Sequence, residues 1–180
     1  LIISVAQEVE EKVFLSFNEK NQVAYLKAVS ENYTNVVGVD SLIALGNWLS
    51  FKGPEAVLGF GIAGNMSVGV FDYSTFLNIT VPKKKKTGPL DQNPFFTKPS
   101  VVVDLYQISE DLDKKYVFAD LAFGQELMVL SPNNFLSIVL KTAENVTKKK
   151  LAKEISLYFK DSINLFSSSQ QNTSLHLMLN

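Results

Sequence analysis

The sequence predicts a mainly β fold of the α+β class. An antiparallel β-sandwich or curved sheet of about eight strands is expected, with one inserted helix and a C-terminal helical pair. Three observations carry this reading. Short runs rich in Val, Ile, Phe and Tyr alternate with polar residues, and clusters of Asn, Gly or Pro separate them. One early segment, SLIALGNWLSF, repeats its apolar residues at helical spacing. Helical spacing returns beyond residue 131.

Taken in order, KVFLSF alternates and NEKNQ follows it as a turn cluster, so strands at 13–17 and 23–29 are expected to pair. Val5, Val9, Val13 and Phe17 stand four apart, which is the competing helical reading. ENYTN reads as a loop and NVVGV as a short β segment. Asp40 is placed to cap a helix over 41–51, with Leu42, Leu45, Trp48 and Leu49 on one face and Gly53-Pro54 as its stop.

Gly59-Phe-Gly61-Ile-Ala-Gly64 fits G-x-G-x-x-G. A dinucleotide-binding turn needs a strand before it, a helix after it and an acid about 20 residues on. Here the following segment is β-branched, aromatic and alternating, and position 84 is a lysine. A hairpin is expected instead, looping at Ala63-Gly64-Asn65 and burying Leu58, Phe60, Ile62, Met66, Val68 and Val70. Its other face would carry Gly59, Gly61, Ser67 and Gly69. Glycine inside strands marks close approach of another surface, so this face is expected to pack against a second sheet or helix of the same chain, with a subunit contact or a flat ligand as the functional alternative.

STFLNITV continues as a strand with Leu77, Ile79 and Val81 inward. Residues 82–99 contain four prolines and are expected to form a long irregular loop within a single domain spanning 1–180. Lys83, Lys84, Lys85 and Lys86 offer it a cationic contact, and Phe95 and Phe96 an apolar anchor. SVVVDLYQI and KKYVFADLAF are expected to pair around SEDLD, with LMVL as a further short strand. Ser131-Pro132 then opens a helix carrying Phe135, Ile138, Val139 and Thr142. Ala152, Ile155, Phe159, Ile163 and Phe166 stripe a second one, whose leading lysines oppose the helix dipole. SLHLMLN closes the chain as a strand.

Composition narrows the chemistry. The 180 residues carry a net charge of −1, which supplies no bulk attraction for nucleic acid or an anionic membrane, so either would need a local patch. The absence of cysteine removes disulfides and thiolate chemistry, and all 17 basic residues are lysine, so bidentate arginine recognition is missing. No apolar run is long enough for a membrane span, and LIISVA at the start is too short and unflanked by basic residues for a signal peptide. His176 stands alone, so neither a metal site nor a cofactor is expected. Asp104 and Asp120 fall in neighbouring predicted strands and are the one candidate acid pair. Five N-x-[ST] sequons, at Asn32, Asn65, Asn78, Asn145 and Asn172, fit an extracellular chain.

The expectation is therefore a non-enzymatic structural or assembly protein, extracellular or particle-associated. It would be a subunit of a filament, tail or virion-like particle that associates with itself or with other assembly subunits. LIISVA would lie along a neighbour's open sheet edge. The alternative is a secreted binding module for a glycan or small apolar ligand, using Trp48 or the glycine face. A hydrolase built on the Asp pair ranks third.

Overall fold

The computed structural model describes residues 1–39, 47–83, 93–159 and 164–166. The described strands are β1 (Ile2–Phe17), β2 (Lys20–Val29), β3 (Glu55–Gly59), β4 (Leu77–Pro82), β5 (Phe95–Tyr106), β6 (Tyr116–Asp120) and β7 (Ser137–Thr142). Between and after them run helices α1 (Tyr33–Val37), α2 (Phe60–Met66), α3 (Glu110–Asp113), α4 (Leu121–Leu127) and α5 (Lys148–Phe159). The sheet order is β2-β6-β3-β5-β4-β1-β7, and β1 also pairs with β2. Six strands thus close into a barrel, with β7 added to the outer half of β1. β2–β6 and β3–β5 are parallel, and the other barrel pairs are antiparallel.

This corrects the expected antiparallel sandwich or curved sheet. β1 is long enough to serve two edges: one pairs with β2 through Phe17↔Lys20 to Glu8↔Val29, and the other meets β4 at Phe14, Leu15 and Ser16. That short seam closes the wall. Upstream, Val5↔Leu140 and Gln7↔Ile138 join β1 to β7. LIISVA is therefore a strand of its own sheet rather than a strand lent to a neighbour.

The β1–β2 hairpin forms as expected, around Asn18 and Glu19, whose φ values of 44° and 65° are those of a tight two-residue turn. β4 also appears with Leu77, Ile79 and Val81 buried. β5 begins at Phe95 and pairs Pro82↔Phe95 through Leu77↔Ser100, so residues 95–99 are strand rather than loop.

Several local expectations fail. The hairpin over 58–70 is a strand followed by a helix. Gly59 ends β3 in extended conformation, and α2 buries Ile62, Ala63 and Met66, a spacing that serves one helical face. Ser67 then ends the helix at φ 56°, its N–H reaching Ala63 and Gly64 carbonyls. NVVGV contributes to α1 instead of a β segment. β5 and β6 do not pair; β3 lies between them. LMVL overlaps the end of α4, which Asp120 starts by accepting from Ala122 N at 3.3 Å. No helix opens at Ser131-Pro132, because the buried Gln125 amide donates to the Pro132 and Asn134 carbonyls at 2.9 Å each and holds that segment as a turn before β7. The C-terminal pair is therefore one helix, α5, among the described residues. Residues 40–46 of the expected inserted helix lie outside the described residues, and 47–50 are not helical. His176 and the SLHLMLN strand also lie outside them.

Two cores result. Inside the barrel, Leu15, Leu26, Leu58 and Ile79 pack with α2 and with Phe123 and Leu127 of α4. α4 comes this near because Gly124 faces Ala28, whose methyl a β-carbon at 124 would strike. The second core lies outside the wall, where Tyr33, Val39, Leu49, Tyr106 and Leu112 cover Phe118 and Val57.

Candidate functional site

The G-x-G-x-x-G segment borders a cleft. It holds about 250 Å³ and is lined by Gly61 of α2 together with Gln107, Ile108, Ser109, Glu110, Asp113 and Lys114 around α3. A strand does end at the first glycine of this motif and a helix starts within it, but α2 is only 7 residues long. The space before it is filled. A β-carbon on Gly59 would run into the Asp113 carbonyl, and one on Gly61 would meet Lys114 Cγ at 2.5 Å. These glycines permit the backbone of α3 to rest on α2. No room is left at Gly59 for a pyrophosphate.

The cleft's polar groups are already engaged, with one carboxylate paired to its lysine and the other bonded to backbone. Lys114 donates to Glu110 Oε1 at 2.5 Å across one helical turn; this bond holds the Glu110 carboxyl below its ordinary range and the Lys114 ammonium above its own. Asp113 accepts from Ile108 N at 2.9 Å, and Ser109 accepts from Leu112 N at 3.5 Å. Beneath, Tyr106 Oη lies 2.9 Å from the Leu112 carbonyl and 3.0 Å from the Tyr116 carbonyl; burial pushes the phenol's pKa up, so it stays a donor. Hydrogen bonds internal to α3 and its flanks thus occupy these groups. The arrangement suits a rigid surface contact better than proton transfer.

A second polar cluster is buried against the outer core beside Tyr33 and Tyr116. Lys27 Nζ stands 3.5 Å from Glu8 and 3.3 Å from Glu10, with the Tyr116 ring at 5.5 Å. Ser137 donates to Glu8 at 2.7 Å and ties β7 into the cluster. Burial works against the Lys27 charge, but the anionic form of Tyr33 and the two carboxylates outweigh it, so its pKa is raised. Burial pushes Tyr33 up to about 12, which keeps that phenol neutral at ordinary pH and leaves Glu8 and Glu10 as the operative partners. Sequence reasoning overlooked this cluster. Its signal was the alternation of Glu8 and Glu10 opposite Lys27 on paired strands.

The sequence-expected site residues do not assemble as expected. Gly59, Gly61, Ser67 and Gly69 share no strand face, being respectively the end of β3, part of α2, its C-cap and the loop beyond. Ser67 Oγ accepts from Lys20 Nζ at 2.6 Å. Phe95 is exposed at the start of β5, while Phe96 packs against the barrel core with Lys83 Nζ 4.6 Å above its ring. Lys84, Lys85 and Lys86 lie outside the described residues. Asp104 is fully buried opposite Val57, accepting from Leu105 N at 2.7 Å, and Asp120 pairs opposite Val29 while capping α4. β3 separates these two acids, so they form no sheet-face pair. Trp48 packs against Phe118 at 5.3 Å as part of the outer core, not as an open platform. Asn32, Asn65 and Asn145 are exposed, Asn78 is half-buried within β4, and Asn172 lies outside the described residues. Among the described residues no cluster of His, Asp and Glu is grouped to hold a metal, and no helix is long and apolar enough to cross a membrane.

No family model and no curated protein matches the sequence. Solved structures do share its fold. The periplasmic region of MacB from Actinobacillus actinomycetemcomitans aligns with a TM-score of 0.57 at 16% identity, covering 88% of this chain and 66% of that one. The extracellular domain of the noncanonic ABC-type transporter YknZ from Gram-positive bacteria aligns at 0.53 and 12% identity, covering 84% and 70%. This chain therefore spans just under two thirds of the MacB region. Those neighbours are parts of transporter proteins, which removes the basis for a filament, tail or virion subunit. The chain folds as a mixed six-stranded barrel of the kind found in these periplasmic and extracellular regions.

Proposed function

We propose that this barrel is an extracytoplasmic domain of a transporter-associated membrane protein, acting through contacts with transporter components rather than through bond chemistry. The observation that carries the reading is the likeness to two such regions over 88% and 84% of the chain. The closed barrel, clamped by two cores, supports it as a rigid spacer, and the five sequons fit an outward-facing chain. Self-association is not part of the proposal.

Intact cells producing the full-length protein should be treated with a membrane-impermeant amine reagent. The 17 lysines make the domain a good target, and labelling before lysis is the expected result. Surface cross-linking in the same cells should join the protein to an ABC-type permease or its adaptor. Lysines that react only after lysis would overturn the location, and labelled protein without any transporter cross-link would overturn the partnership.

A further inference from the structure

The outer core covers only one side of the barrel. On the other side, outward residues of β2, β1, β4 and β5 align in a continuous rung, Val23–Phe14–Thr80–Thr97, each a paired neighbour of the next. Phe14 is 45% exposed, Val23 52%, and Phe95, one rung along, 49%. The next rung the other way is Asn21–Ser16–Asn78–Pro99. Lys12, paired to Tyr25, is exposed at the border, and Lys115 Nζ lies 5.2 Å from the Tyr25 ring. None of these wall positions is acidic.

The geometry points to this wall as a docking face for an anionic lipid surface. Exposed Phe and Val among Thr and Asn, with Lys12 and Lys115 at the border and the one bordering carboxylate, Glu10, held by Lys27 at 3.3 Å, match the chemistry of a headgroup layer. The apolar tips enter the acyl boundary and the ammoniums stay with the phosphates. Shape argues against a peptide. The outside of a barrel is convex and offers no groove for a helix. Phe14 and Thr80 already have partners on both sides, so no strand can be added there. The inference stands independently of the transporter reading, since it needs only a membrane within reach.

Flotation of the full chain tests it, with vesicles of phosphatidylglycerol and phosphatidylcholine in equal parts against phosphatidylcholine alone. The chain is expected to float with the anionic vesicles only, and to be released by high salt because exposed charges are screened. Phe14→Ser combined with Phe95→Ser should abolish flotation while leaving circular dichroism unchanged. Lys12→Glu, at an exposed position, should weaken it while leaving circular dichroism unchanged. A parent chain that ignores anionic vesicles, or a Lys12→Glu variant that floats as the parent does, would overturn the proposal. Loss of a transporter cross-link in these variants, with vesicles ignored throughout, would reassign the wall to a protein partner and equally overturn it.

Discussion

Lys27 shows how a single buried charge organises one flank. It is 6% exposed, and Glu8 is equally buried, so neither has water to fall back on. Lys27→Met should cost about 3–5 kcal/mol, because it leaves Glu8 uncompensated in the interior. The second change Glu8→Gln should recover part of that loss, read from urea midpoints. The pH dependence follows from the raised pKa. The stability that Lys27 contributes is complete below its unfolded value of 10.5 and drains as pH climbs beyond it. Denaturation of the parent between neutral pH and pH 11 should therefore steepen at the alkaline end, and that of Lys27→Met should not. Gly59 is the other residue with a sharp consequence. Gly59→Ala should lose about 1–3 kcal/mol or more by overpacking, since the intruding carbon meets Asp113 backbone, which cannot rotate aside. An unchanged midpoint would mean α3 is not seated there.

At the scale of elements, the contest over residues 58–70 was between alternation and a helical face. Both readings bury Ile62 and Met66; only the hairpin buries Phe60. The structure leaves Phe60 39% exposed and Ile62 fully buried. Phe60→Ala should therefore change stability by no more than about 0.5–1 kcal/mol, whereas Ile62→Ala should cost about 2–5. Equal losses would restore the hairpin register. The β1–β2 turn offers a gain. Glu19 holds φ 65°, a region that costs an L-residue about 1–2 kcal/mol, and Asn-Gly is the favoured pair for such turns. Glu19→Gly should raise the melting temperature modestly. α5 was legible from its apolar spacing because it is an exposed amphipathic helix; none of its described side chains is buried. α2 and α4 were not, because both contain glycine and are short. Packing against the barrel, rather than intrinsic propensity, holds them.

For the whole molecule, barrel closure predicts a hierarchy of protection. All six barrel strands are hydrogen-bonded on both edges and β3 and β6 are buried along nearly their whole length, whereas β7 pairs only with β1. Amide exchange should be slowest in β3 and β6 and fastest in β7 and α5, since edges and exposed helices open without disturbing the core. Uniform protection would mean that β7 opens only with the barrel. The sequence by itself determined which side chains turn inward along β4 and the second half of β1. A strand's side-chain period is two residues, so Val13, Leu15 and Phe17, or Leu77, Ile79 and Val81, declare a face without reference to any partner. It also pointed to the first hairpin, because the turn cluster NEKNQ separates two apolar runs, although pairing extends β2 back to Lys20 and shortens the turn to Asn18 and Glu19. Tertiary structure decided the rest: that β2 runs parallel to β6 and β3 to β5, that β1 closes the wall against β4 over three pairs, and that a glycine-rich segment coils. Those outcomes depend on partners distant along the chain. Sandwiches and barrels use the same alternation, and where local preference is nearly balanced, burial against a remote surface makes the choice.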